Sequence, residues 1–412
     1  MKTKWLAVGI ILLFVGVTIA PAIAQNTEKS QSSRGDWLYV GGSGLGNYSK
    51  IQDAIDNASD EDTVFVYDDS SPYYENLEID KSIKLLGENK NTTIIDGDGN
   101  GNVVNVIAWS VTISGFTMQK CRADNWEYAG IRMDDTLGNT ITNNIITNNS
   151  CHGIYCFNYY QYPYGGFNVI SKNIVTKNTY GIVLDDSTYN EVYDNFVEEN
   201  QIGIFVGSSS LPTERRENTV NEYYEYYNNI YRNTILNNHV GIDIEPAFFT
   251  IVFQNNIMKN DYGICINAPY LTQCSYNTIY QNNIHNNTYG IKANTWGSII
   301  AANNISENNF FYNAEGISLC SYNRILNGCI ANNTFSNNNF IGNNNTAYFE
   351  EFFICLSSNQ CHGRNQWVGN YWEKTRLLPY PIKGKLKIFK FSIPWVTFDW
   401  HPAQEPYDIE VR

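Results

Sequence analysis

The chain has 412 residues, 43 % of them hydrophobic and only 17 % charged, and a formal net charge of −14. Disorder needs low hydrophobicity with high charge, so a packed fold is expected, and the acidic balance speaks against nucleic acid, whose phosphates are neutralised by Lys and Arg. Asn is the outlier at 57 residues, and its amide competes with the backbone of a helix, which excludes a mainly helical protein.

In chain order, Lys2 and Lys4 precede an apolar run from Trp5 to Ala20, and Ala22-Ile23-Ala24 supplies small residues before Gln25. This is the pattern of a secretion signal over 1–24, cleaved to give a secreted, cell-surface or periplasmic protein. Retained, it would be the chain's one route into a membrane. Residues 25–36 read as a polar linker. Ser49-x-x-Gln52 has the form of a capping box, and Ile51, Ala54, Ile55 and Ala58 make one apolar face. A short helix there is expected to cover the first coil of whatever follows, whose open edge would invite aggregation. Asp96-x-Asp98-x-Asn100-Gly101 matches the first half of an EF-hand loop, but position twelve falls on Ile107, so the segment reads as a Gly-rich turn that allows at most weak Ca²⁺ binding.

An internal repeat then dominates. Residues 168–182 read NVISKNIVTKNTYGI, 190–204 read NEVYDNFVEENQIGI, and 277–291 read NTIYQNNIHNNTYGI. The shared form is N-x-I-x-x-N-x-I-x-x-N-x-x-G-I, with the Gly at 130, 153, 181, 203, 241, 263, 290 and 316. Apolar residues five apart fit neither a helix nor a long strand. They fit very short strands joined by tight turns, for which Asn is suited because it tolerates the left-handed region. Three such strands per coil make a triangular solenoid in which equivalent Asn residues stack as amide ladders. Between Gly203 and Gly241 the insertion LPTERRENTVNEYYEYY lengthens one coil.

This repeat resembles the right-handed parallel β-helix of pectin-lyase-like proteins, and more narrowly the NosD-like repeat proteins. The expected fold is all-β: a solenoid of about 10–11 three-strand coils with a short N-terminal capping helix, over 37–363. The tail 364–412 is aromatic and Pro-rich. Gly369-Asn370-Tyr371-Trp372 resembles the element that ends many NosD-like helices, which makes the tail a C-terminal cap. A glycan-stacking surface of Trp367, Trp372, Trp395 and Trp400 is the alternative. The nine Cys allow disulfides, with Cys151/Cys156, Cys265/Cys274, Cys320/Cys329 and Cys355/Cys361 as local candidates.

The variable loops follow the Gly-Ile strand, so any groove is placed over those strands. With the Ile inward, the outward columns read Arg132, Tyr155, Val183, Phe205, Asp243, Cys265, Lys292, Ser318 and Asp134, Phe157, Asp185, Gly207, Glu245, Asn267, Asn294, Cys320. Two constellations result. Asp134 and Asp185, roughly 9–10 Å apart by the strand spacing, stand with Arg132, Tyr155 and His152. Asp243 and Glu245, about 7 Å apart on one strand face, stand with Lys292 two coils on. The four acids are the candidate catalytic pairs, and Arg132, Tyr155, His152 and Lys292 the candidate substrate contacts. Against them stands the reading of solvated charges on an acidic sheet face. Asp134-Asp135 and His152-Gly153 faintly resemble polygalacturonase elements, but Cys151 replaces the first Gly and no R-x-K element fits. No epimerase-type D-P-H-D run occurs. The first expectation is therefore a non-enzymatic surface protein binding polysaccharide, cell-surface glycan or protein partners without nucleic acid. The second is a polysaccharide lyase or glycoside hydrolase. The NosD resemblance implies a third, an accessory factor in copper-enzyme maturation. Five His and four Met lend that no support from composition, so no metal site and no cofactor beyond Ca²⁺ is assigned.

Overall fold

The computed structural model describes residues 35–122, 127–158, 165–208, 226–269, 272–322, 328–352, 364–388 and 391–411. The expected signal and most of the linker, the greater part of the 211–227 insertion, and Cys355 and Cys361 lie outside them. Residues from Asp36 onward pack as one unit.

That unit is a right-handed parallel β-helix. Sheet A runs through 13 strands, from Trp37–Val40 to Gln366–Val368. Sheet B has 12, from Tyr73–Tyr74 to Tyr371–Trp372. Sheet C, which carries the Gly-Ile strands, has 13, beginning at Leu77–Ile79 and closing in the antiparallel hairpin Tyr380–Ile388/Phe391–Asp399. The stack extends beyond the Asn repeat because the coils before Asn139 use the same three-residue strands without it, as in Thr112–Ser114 and Thr117–Gln119.

Most of the short strands on sheets A and B turn one large apolar residue into the core. Ile141, Ile170 and Val192 lie in register on A, and Ile146, Val175 and Val197 on B. Toward the C-terminus aromatic rings replace the aliphatic column. Phe335 stacks on Trp367 at 4.2 Å, and Phe310, Phe340 and Trp372 stack at 4.8 and 4.6 Å. Both Trp residues are buried at the C-terminal end of the core, while Trp395 and Trp400 are exposed.

The turns follow a rule the sequence reading only half anticipated. The left-handed residue is the one before each ladder Asn, whatever its type: Lys172 before Asn173, Asp194 before Asn195, Arg232 before Asn233, Gln254 before Asn255. The ladder Asn instead locks the turn to its neighbour. Its Oδ1 accepts from the backbone N–H and the amide of the equivalent Asn one coil earlier, as Asn195 does from Asn173 at 3.0 and 3.1 Å. Three columns form in this way, one at each corner. The column between sheets A and B runs from Asn144 to Asn370, where the Asp399 carboxylate takes the place of the next Asn, accepting from Asn370 N at 2.8 Å and Nδ2 at 3.1 Å. The Gly of the Gly-Ile pair is forced by close approach: a Cβ on Gly181 would lie 2.5 Å from the Gly203 carbonyl oxygen.

The helix forms over Ile51–Asn57 and buries Ile51, Ala54 and Ile55. The capping box does not. Lys50 holds the N-cap position without a side-chain bond, because Glu75 from the next coil reaches the Ile51 and Gln52 N–H groups at 2.9 and 3.0 Å. Gln52 pairs instead with the backbone of Glu78.

Candidate functional site

The outward columns on sheet C stand in the expected register. Arg132 pairs with Tyr155, Tyr155 with Val183, Phe205 with Asp243 and Asp243 with Cys265; Asp134 pairs with Phe157, and Phe157 with Asp185.

The first constellation is drawn together into a packed cluster. Arg132 holds Asp134 through Nε at 2.7 Å and Nη2 at 2.6 Å, and Glu127 through Nη1 at 3.2 Å. Burial works against the guanidinium's charge, but these two carboxylates outweigh it and hold its pKa above the usual value. Burial pushes the Asp134 carboxyl up despite Arg132. Tyr155 donates to Asp185 Oδ2 at 3.1 Å, and both are buried. His152 is buried as well, its ring stacked on Tyr155 at 4.8 Å and edge-on to Tyr180 at 5.1 Å. Ala129, Tyr155, Val183 and Phe205 form an apolar cluster separate from the core, so outward-facing residues here are nonetheless covered.

The second constellation has a different character. Asp243 is 6 % exposed, Glu245 half-buried, and Asn267 donates to Asp243 Oδ1 at 2.7 Å. Asn294 on the next coil donates to Asn267 Oδ1 at 3.3 Å. Burial raises both acids, and Glu245 adds repulsion at Asp243, against which Asn267 offers one amide. At neutral pH the pair therefore favours retaining a proton, which equips Asp243 to donate it. Lys292 turns from the pair: its Nζ lies 3.3 Å from Ser318 Oγ and 4.1 Å from the Tyr289 ring centre. Asn267 was in the outward column but unassigned by sequence, since only side-chain direction reveals its bond. Glu351 was missed entirely. It accepts from Asn365 at 2.8 Å, and burial pushes its carboxyl up to about 7.

A cavity of about 770 Å³ lies at the A/B corner and another of about 520 Å³ beside Phe65 and Glu88, both away from sheet C. At the 96–101 loop, Asp96 accepts from Lys120 Nζ at 2.7 Å and Gln119 Nε2 at 2.8 Å. An ammonium thus answers the carboxylate that would lead a Ca²⁺ site.

The Cys pairings differ from three of the sequence candidates. Cys156, Cys265, Cys274 and Cys320 are thiols, and Cys329 is disulfide-bonded, so neither Cys151/Cys156, Cys265/Cys274 nor Cys320/Cys329 forms. Direction is the reason: Cys265 sits on the outer face of sheet C, Cys274 in the core, and Cys156 points inward while the Cys151 thiol donates to the Arg122 carbonyl.

A family model described as "Periplasmic copper-binding protein (NosD)" matches residues 55–222 and 213–295, more than half of the chain. The chain belongs to the NosD family. No curated protein matches it. Among solved structures it is similar to XylC in complex with xylose, at a TM-score of 0.52 and 11 % identity over 84 % of this chain and 87 % of that one. It is similar also to the A-module of the mannuronan C-5 epimerase AlgE6 of Azotobacter vinelandii, at 0.50 and 13 % over 78 % and 93 %. At such identities the likeness is one of fold alone.

No group of three His, Cys, Asp or Glu that could hold a metal occurs among the described residues. Met118 and Met133 are core residues, and His239 is engaged by Asp261 at 2.8 Å. Burial pushes the Cys121 thiol up to about 11 and Cys274 to about 12, which opposes thiolate ligation. No helix among the described residues is long and apolar enough to cross a membrane.

Proposed function

We propose that this chain is an extracytoplasmic β-helix protein that binds a glycan across the outer face of sheet C, centred on Asp243, Glu245, Asn267 and Asn294. The observation that carries this reading is the carboxyl–amide relay from Asp243 through Asn267 to Asn294. Unlike the column amides, Asn267 and Asn294 are half-buried rather than enclosed, on strands whose opposite ends carry the stacked rings of Tyr262 and Tyr289. Amides and carboxyls match the hydroxyls of a sugar, and aromatic rings further along the same face match its C–H faces. Family membership supports the location. Affinity electrophoresis on a panel of neutral and acidic polysaccharides tests it. Retardation that is lost in Asn267→Ala, with an unchanged melting temperature, is expected. Retardation indifferent to Asn267 would defeat the reading.

A second reading, glycoside hydrolysis with Asp243 as proton donor, is favoured by the proton held on the acid pair. It requires reducing-sugar release that Asp243→Asn abolishes. No group of three His, Cys, Asp or Glu among the described residues could hold a metal, and no copper chemistry is assigned to them.

A further inference from the structure

The larger cavity, about 770 Å³, runs along the corner between sheets A and B. Its floor is built from the residues that precede the second column of ladder Asn: Arg232, Gln254, Gln281 and Glu307 on four successive coils, then Asn337. These side chains are linked along the helix axis. Asp194 clamps Arg232 at 2.8 and 3.1 Å; Gln254 donates to Gln281 Oε1 at 3.5 Å; Gln281 donates to Glu307 Oε2 at 3.0 Å. One residue earlier in each coil, Tyr193, Tyr231, Phe253 and Tyr280 form a ring stack at 5.0, 4.8 and 5.1 Å, and the Arg232 guanidinium lies 5.0 Å from the Tyr231 centre.

The opposite wall is the C-terminal segment. Asn339 grips both backbone groups of Tyr407: its Oδ1 accepts the N–H and its Nδ2 donates to the carbonyl, each at 2.8 Å. Asn309 donates to the Ile409 carbonyl at 3.2 Å, and the Tyr407 hydroxyl donates to the Gly369 carbonyl at 2.7 Å. A side-chain ladder thus straps an extended peptide across the coils and turns a corner into a trough.

We infer that this trough is a binding site for a neutral oligosaccharide lying along the helix axis. The floor repeats a polar donor or acceptor once per coil, about every 4.8 Å, so it presents a periodic lining to a periodic chain. Amides dominate it, and an amide offers both a donor and an acceptor to a hydroxyl. The charge balance sets the sugar class. Arg232, the cation of the lining, is neutralised by Asp194, which leaves the carboxylates of Glu307 on the floor and Asp408 on the opposite wall to set the field. That field disfavours a polyuronate. The inference is independent of the acid pair on sheet C.

The test uses the full chain and titrates xylohexaose, cellohexaose and maltohexaose, with oligogalacturonate and oligolysine as charged comparisons. The informative variant is Gln254→Asn with Gln281→Asn, because Asn keeps the left-handed turn comfortable while withdrawing the amide by one carbon. One neutral hexamer binds the wild type, and the double variant weakens it about tenfold, the weight of one or two hydrogen bonds. Melting temperature and the response to Asp243→Asn stay unchanged. The proposal is overturned if no neutral hexamer binds, if the double variant binds as the wild type, if Asp243→Asn removes the binding instead, or if either charged oligomer binds more tightly.

Discussion

The Asn columns at the corners and the acid pair on sheet C both take polar side chains out of water, on opposite plans. Within the columns an Oδ1 typically receives two donors from the coil before, and the Nδ2 reaches a carbonyl or the next Oδ1, as Asn233 does with Val192 and Asn255; at the start of one column Asn139 Nδ2 finds no partner among the described residues. Repetition supplies the partners. On sheet C the outward residue changes type with every coil, from Phe205 to Asp243 to Cys265 to Lys292, so no coil guarantees a partner for the next. Two carboxyls there are left with one amide from Asn267. The same burial that locks the columns displaces the titration of the pair. Polar groups that the repeat satisfies are structure, and those it fails to satisfy are where chemistry is available.

The sharpest way to break this comparison is to open a column. Asn195→Ala removes the acceptor for two donors of Asn173, leaves Asn233 Oδ1 with one of its two donors, and takes the amide donor from the Ile170 carbonyl. The expected loss is about 3–5 kcal/mol, from several buried groups unpaired at once. Asn229→Ala on the outer face, where the half-buried amide donates to Glu191, should cost under about 1 kcal/mol. Urea titration of both decides it: equal losses would mean that the columns owe nothing to their bonds.

The end of a column comes next. Asp399 collects Gly369, Asn370, Trp372 and His401 donors on its two oxygens. Asp399→Asn turns one acceptor into a donor facing donors, at a cost of about 2–3 kcal/mol. Loss of the Trp372 fluorescence environment ahead of global unfolding would locate the damage at the cap.

The acid pair should show itself in pH. Asp243, Glu245 and Glu351 all titrate above their ordinary values when folded, chiefly through burial. The folded chain therefore keeps protons that the unfolded chain releases. That stability is complete below the unfolded values near pH 4 and is lost as pH rises through the folded ones, which for Glu351 means from about 4.5 to about 7. Wild-type stability should fall across this range. Asp243→Asn or Glu351→Gln should each flatten the fall, by on the order of 2 kcal/mol at pH 8. A variant as steep as the wild type would show that its acid is solvated like any surface carboxylate.

The contrast also explains what could be read in advance. The stack, the inward Ile and Val, and the facing of both outward columns follow from a pattern repeated many times, so single exceptions do not disturb it. The capping box at Ser49 failed because its competitor, Glu75, comes from another coil. The Cys pairs failed because nearness in sequence ignores which side of a strand a thiol faces. Asn267 and Glu351 escaped because their partners are fixed by three-dimensional direction, and the trough at Gln281 because one of its walls is a segment more than a hundred residues away.

The smallest effect is also the cleanest. Thr250 interrupts the first column: it donates its N–H to Asn277 as an Asn would, but its hydroxyl oxygen is buried without a partner among the described residues. Asn228 on the preceding coil consequently lacks the oxygen that Asn190 finds in Asn228 itself at 2.9 Å. Thr250→Asn, of similar volume, would restore an acceptor above and a donor below. If partner supply is what separates the columns from the acid pair, placing an amide in this buried site raises stability, by about 1 kcal/mol. If the columns work only through the geometry of their turns, already intact at Thr250, the substitution brings nothing or overpacks, and the melting temperature stays level or falls.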